Sequence, residues 1–288
     1  MEVEVSNILK LSSRTKRTVS RSLVWIIIGL MLTIFLAPTF WILLTSFKTD
    51  VDSTTVPPKW IFQPTLENYY SIFFSKGGSI VTFLVNSMIV TSASTVGAIA
   101  FSFPAAYSLS RYRITGGKNL SFWLLTLRMS PPIVLIIPLY MMFDTLHLLD
   151  THLGLTILYM VFNIPLTVWM LKSFIDELPR DFEEAAILDG CSSFQTLVHI
   201  VFPLCSSGLV ATAILNFILS YNEFLFSFMF MTSNITLPAG AARSIGKFHY
   251  AWGSLSANVI FMMIPVVIFV YFIQKHLARG LTMGAIKR

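Results

Sequence analysis

The stretch Glu183-Glu184-Ala185-Ala186-Ile187-Leu188-Asp189-Gly190, closed downstream by Ile200-Val201-Phe202-Pro203, gathers the densest chemistry in this chain. Acids beside a thin alanine face can meet a basic groove, so the chemistry on offer is docking rather than bond-making. Two lone charges come next. Arg128 and Glu223 stand in apolar sequence, where the cost of placing a charge in lipid marks a functional position. At 1.5 Å per residue they lie about 12 Å and roughly 26 Å from the same membrane side, too different for a direct pair. Arg128 is expected to snorkel or to bond backbone opened near Pro131-Pro132. Tyr221-Asn222-Glu223-Phe224 joins short polar groups to aromatic faces. His147 and His152 sit beside Asp144 and Asp150, and there a solvated loop is the plainer reading than a metal site. Cys191 and Cys205 lack ligand spacing and read as reduced structural thiols. No catalytic set and no metal site is expected.

The elements that carry these residues are membrane spans. Hydrophobic residues make up 55% of the chain, charged residues 12%, and there are 25 Phe, which points to transmembrane helices rather than a soluble core. The expected fold class is all-α and polytopic, with six spans at about 23–46, 80–110, 120–142, 154–175, 206–231 and 255–275. The second exceeds a simple span, so it protrudes into water or bends near Pro104. The first is too long for a secretory h-region and lacks a small-residue cleavage site, so it reads as a retained helix.

With the N-terminus inside, the basic residues outside are Lys48, Lys59, Lys76, Arg243 and Lys247, and nearly all others fall inside. That asymmetry predicts both termini in the cytoplasm of a prokaryotic cell. It also accounts for the net charge of +6 without a nucleic-acid partner. The expected layout is a cytoplasmic arm at 1–22, a membrane domain at 23–275 with an inner loop at 177–204, and a cytoplasmic tail at 276–288. The outer segment 47–79 is expected to be extended and to pack Trp60, Phe62, Tyr69 and Tyr70 as an aromatic cluster.

The inner loop reads as two short helices. Pro179 suits a first helical position, where its missing N–H costs nothing. Asp181, Glu183 and Glu184 suit the opening turns, and Gly190 a left-handed stop. Ser192-Ser193-Phe194-Gln195 has the form of a capping box for a second helix running to Pro203. A headgroup-resting helix would instead carry Lys and Arg.

These residues carry a resemblance. Glu184-Ala185-Ala186, Gly190, Ile200 and Pro203, placed between the fourth and fifth spans, resemble the EAA loop of ABC-importer permeases. Ser46-Phe47-Lys48, Pro131-Pro132, Pro138-Leu139-Tyr140, Tyr221-Asn222-Glu223-Phe224 and Thr236-Leu237-Pro238 look like the carbohydrate branch. The end from Leu277 to Lys287 is similar to that of the maltose-type, six-span permease. Phe202 departs from the usual Leu, and Tyr221 from a frequent Trp.

The resemblance implies a coupling helix held in a cleft of an ATP-hydrolysing subunit, with Glu184, Ala185, Ala186, Asp189, Gly190 and Pro203 as the contact set. Glu184 would pair with a basic residue of that subunit. The implied partners are a second permease, two nucleotide-binding ATPase subunits, an extracytoplasmic sugar-binding protein and the lipid bilayer. The chain has no G-x-x-x-x-G-K-[ST] loop, so ATP and Mg would be used by the partner ATPase and no cofactor would be held here. Tyr221, Asn222, Glu223 and Phe224 would be candidates for the translocation path, with helix packing or gating as the rival role. The outer loop 233–254 would reach toward the binding protein, and the tail toward the ATPase pair. Polyol or glycerol-phosphate import shares this scaffold. An ion-coupled secondary transporter predicts charges in repeated halves and needs no docking loop. A membrane-embedded enzyme would need clustered catalytic residues, and the spans hold only Arg128 and Glu223.

Overall fold

Between Arg21 and Lys48 the sequence carries no charge, and in lipid such a run can satisfy its backbone only as a helix. Accordingly α1 runs Ser13–Ser46. The computed structural model describes residues 13–74, 79–243 and 251–283. The start of the arm, residues 244–250 of the outer loop and the end of the tail, on which expectations were placed, lie outside them. After α1 come α2 (Asp50–Thr54), α3 (Glu67–Phe74), α4 (Ile80–Arg111), α5 (Gly117–Arg128), α6 (Pro132–Thr145) and α7 (His152–Asp176). Next are α8 (Asp181–Leu188), α9 (Ser193–Thr196), a π-helical turn (Leu197–Val201), α10 (Phe202–Leu204) and α11 (Ser206–Tyr221). The chain ends with α12 (Leu225–Phe230), α13 (Leu237–Arg243) and α14 (Trp252–Met283). No strand occurs among the described residues.

Among the described residues four helices are long and apolar enough to cross a membrane, or up to six spans if each of two bent pairs counts as one. The third expected span is therefore broken. Pro131 and Pro132 lack N–H donors, and a residue before proline is pushed out of the helical region, so α5 stops at Arg128 and α6 starts at Pro132. The fifth is shorter than expected, because α11 ends at Tyr221 and α12 begins only at Leu225. Pro104 does not interrupt α4. At 1.5 Å per residue α4 is about 48 Å long, well beyond a hydrocarbon core of about 30 Å. Its Arg111 end is the one that meets the inner loop.

The chain divides into two compact units. One comprises the residues up to Tyr69 together with Trp252–Ile260. In it Lys48 is only 1% exposed. Its Nζ donates to the Lys59 carbonyl at 2.7 Å and lies 4.2 Å from the Trp41 ring centre. Burial lowers the Lys48 pKa, and Asp52 partly offsets that. Asn68 Nδ2 donates to the carbonyls of Ser46 and Lys48, satisfying acceptors that the end of α1 leaves open. Trp60 meets Trp41 edge-on and Phe62 faces Lys48. Tyr69 Oη lies 2.8 Å from Ser46 Oγ. Tyr70, expected in the same cluster, belongs to the other unit and packs there on Phe74.

The other unit comprises Tyr70–Ala251 and Phe261 onward. Helix α4 packs along α7, and α11 lies against both. Toward the inner loop their core is apolar, built on Phe103, Val168, Leu171, Ile175, Val201 and Leu209. Nearer mid-span it is polar: Asn163 Nδ2 donates to Ser220 Oγ at 2.8 Å, and Asn216 Nδ2 to Thr167 Oγ1 at 2.9 Å. Such hydrogen bonds hold helices together where lipid supplies no hydrophobic drive.

Candidate functional site

The inner loop is built by local chemistry at each end. Pro179 falls just before the helix rather than inside it, since Arg180 is the N-cap and α8 begins at Asp181. Asp181, Glu183 and Glu184 occupy its first turn, where negative charge meets the positive end of the helix dipole. Gly190 stops the helix at φ +89°, a region costly for any side chain with a Cβ. The capping box then forms as its residues predict. Ser192 Oγ accepts from the Gln195 amide, and the Gln195 side chain accepts from the Ser192 amide.

What fixes the loop to the spans is a buried ion pair. Arg111, the last residue of α4, sets its Nε 2.7 Å from Glu183 Oε1, with the two side chains 8% and 9% exposed. Tyr107 Oη donates to the other carboxylate oxygen at 3.0 Å. Arg111 Nη2 also donates to the carbonyl of Ile175 in the last turn of α7 and to that of Leu178 just past its end. One guanidinium thus ties α4, α7 and α8 together, and both carboxylate oxygens are satisfied. Sequence reading missed this clamp. It counted Arg111 only as an inside charge and read Glu183 as an outward acid, and only the register of α8 tells Glu183 from Glu184.

That register sorts the contact set expected from the resemblance. Glu183 and Ala186 face inward and are buried, whereas Glu184, Ala185, Asp189 and Gly190 are exposed. The thin alanine face is therefore split, with Ala186 packed inside the chain. The outward surface also carries apolar side chains that sequence reasoning passed over: Phe182 at 53%, Leu188 at 88% and Phe194 at 72% exposure. An acidic ridge flanked by exposed large apolar groups is a surface built to be covered.

Pro203 is exposed and sits inside α10. Lacking an N–H, it cannot bond back to the previous turn, and the helix there opens to π geometry, with the Phe202 amide reaching the Leu197 carbonyl. At Cys205 the chain turns by 78° into α11. Close approach follows at Gly208, where a Cβ would clash with the Phe174 ring of α7.

The second candidate set lies at the break between α11 and α12. Tyr221 is buried and donates to the Met262 carbonyl at 3.1 Å. Asn222 is exposed, its Nδ2 donating to Ile218 O in its own helix. Glu223 turns its carboxylate onto the amides of Phe226 and Ser227 at 3.0 and 3.4 Å, capping α12. Phe224 is 39% exposed and packs on Phe228. Glu223, Asn163, Ser220 and Tyr159 border a cavity of about 30 Å³, room for a water but not a sugar ring. Arg128 bonds a carbonyl as expected, but on another helix, donating to Phe162 O at 3.0 Å and to Asn163 Oδ1 at 3.3 Å.

The outer loops are structural where described. Asp150, at φ +55°, accepts from the amides of Thr232, Ser233 and Asn234. Its burial alone would raise its pKa, but these amides outweigh that and hold it below the ordinary value. His152 Nε2 bonds Asn86 Oδ1. No cluster of three or more metal-ligating side chains occurs among the described residues. Pro238, Ala239 and Gly240 of the outer loop are buried in α13.

A helix bundle with a clamped acidic inner loop can be compared with known proteins. Residues 98–283 match the family model described as binding-protein-dependent transport system inner membrane component. This chain belongs to that family. It is 37% identical to the probable ABC transporter permease protein y4oR of Sinorhizobium fredii, over 97% of this chain and 100% of that one. It is 35% identical to the trehalose/maltose transport system permease protein MalG of Thermococcus litoralis, over 91% and 96%. A solved bacterial ABC transporter involved in the import of the acidic polysaccharide alginate shares the fold, with TM-score 0.72 and 21% identity over 92% of this chain and 98% of that one. The chain is thus an ABC-importer permease, a multi-pass membrane component of transport. As a permease it shows where the expected residues sit: Glu184, Ala185, Asp189 and Gly190 exposed on one loop with Ala186 buried behind them, and the four residues at 221–224 around a helix break.

Proposed function

We propose that this permease serves a binding-protein-dependent importer of a di- or oligosaccharide, and that residues 177–204 couple it to a separate ATPase subunit. The observation that carries the coupling role is the clamped loop. Arg111 fixes α8 to the ends of α4 and α7, so a push on Glu184, Leu188 and Phe194 is transmitted to the spans rather than absorbed by a floppy loop. ATP and Mg would be bound by two such subunits, whose closure favours one permease state over another; that differential affinity is what any switch requires. A second permease and an extracytoplasmic sugar-binding protein complete the assembly. Both termini lie in the cytoplasm in this reading, which the distribution of Lys and Arg supports.

The sugar assignment draws on relatives. Besides the trehalose/maltose permease, the trehalose transport system permease protein SugB of Mycobacterium tuberculosis is 34% identical over 88% of this chain. The test is uptake of labelled disaccharides by cells carrying the full operon, with the tagged chain purified in mild detergent. Glu184→Lys should abolish uptake and release the ATPase subunit while the chain stays in the membrane. Normal uptake by that variant would overturn the coupling role.

A further inference from the structure

A second cavity lies beside the clamp and plays no part in it. It measures about 510 Å³ and is bordered by Tyr112, Arg113, Gly117, Trp169, Lys172 and Ser173, within the size range of ligand pockets. We propose that it holds the phosphate-bearing headgroup of an anionic phospholipid. Three observations converge on that chemistry.

The first is charge. Arg111 is consumed by Glu183, but Arg113 two residues on is exposed and borders the cavity. Lys172 pairs with Asp176 at 2.5 Å, and an ammonium has three donors, so two remain for an anion. Asp176 is the opposing charge nearby, and Ser110 Oγ also donates to it. Gly117 opens the 12-residue α5, so a positive helix end lies on the same wall. The second is the aromatic pair. Tyr112 and Trp169 are 52% and 45% exposed, and amphipathic rings of this kind settle at headgroup depth. The third is level. The walls come from the end of α4 and the connection after it, where Tyr112 and Arg113 lie, from the last two turns of α7 and from the first residue of α5, where apolar spans give way to polar loop. A basic pocket between helices at that level suits a lipid headgroup, and it requires only that the chain spans a bilayer.

The test is native mass spectrometry of the full chain, delipidated in detergent and offered equal phosphatidylglycerol and phosphatidylcholine. Wild type should retain phosphatidylglycerol preferentially. Arg113→Gln should cut the preference roughly fivefold, the value of one charge near the surface. Lys172→Gln should cut it further, because Asp176 loses its partner. Lys59→Gln, far along the chain in an exposed pair, should leave it unchanged. An unchanged preference in both pocket variants would overturn the proposal. So would full displacement of the lipid by millimolar inorganic phosphate, which would mark a small-anion site. Intact lipid preference in Arg113→Gln, with the ATPase subunit lost when that variant is purified from cells carrying the full operon, would mark a protein dock and overturn it equally.

Discussion

Arg111 and Glu183 are 72 positions apart in sequence, yet their charged atoms lie 2.7 Å apart. Removing one partner of such a buried pair strands the other charge, at a cost of about 3–5 kcal/mol, whereas apolar replacement of both is often near neutral. Arg111→Met or Glu183→Leu alone should therefore lower detergent-resistant stability sharply, and the double variant should recover most of it. Hydrogen exchange should rise across residues 181–204 in each single variant. Equal exchange in wild type and Arg111→Met would mean that the clamp does not hold the loop.

Gly190 offers a finer probe of the same loop. Its φ of +89° has open space around a would-be Cβ, so substitution costs backbone strain and not a clash. Gly190→Ala should cost about 1–2 kcal/mol, and Gly190→Asn less, because Asn tolerates left-handed backbone. Thermal unfolding of the three proteins would order them, and an Ala variant as stable as wild type would remove the conformational argument.

Much of this fold was legible because lipid simplifies the rules: apolar runs must be helices, and the places of α1, α4, α7 and α14 follow from hydropathy. The capping box at Ser192 and the turn at Gly190 were equally local and equally readable. What was not readable depends on contacts between distant segments. Nothing near Glu183 in sequence announces Arg111. Whether Ala186 faces outward depends on a helix register set by that pair. The break after Tyr221 was hidden because Glu223 is a cap only once its carboxylate is seen on the Phe226 amide, and in sequence it looks like a charge awaiting a ligand. Pro179 missed its expected position by a residue or two, the usual margin at a helix end.

The two readings of Glu223 separate under substitution. As a cap, it needs only an acceptor, so Glu223→Gln should stay close to wild type while Glu223→Ala loses a contribution on the order of 1 kcal/mol. As a sugar ligand, the carboxylate itself would matter, and Glu223→Gln would raise the half-saturation concentration for uptake. We expect the cap behaviour, read as unfolding of the purified variants beside concentration-dependent uptake. A Gln variant with normal stability and weakened uptake would return Glu223 to the translocation path.

Acid should act on the outer turn through Asp150. Its folded pKa is held below the ordinary value by the amides of Thr232, Ser233 and Asn234 against the opposing effect of burial. A carboxylate with a depressed folded pKa contributes fully above its unfolded pKa of about 3.9. That contribution fades as pH falls through the lower folded value, because the unfolded chain then gains protons first. The unfolding midpoint of wild type should therefore drop below about pH 4, and Asp150→Asn, which keeps one acceptor but no charge, should start lower and drop less. The difference between the two proteins should shrink as the solution is acidified. A gap that stays constant from neutral pH into acid would show that the Asp150 charge contributes nothing to this turn.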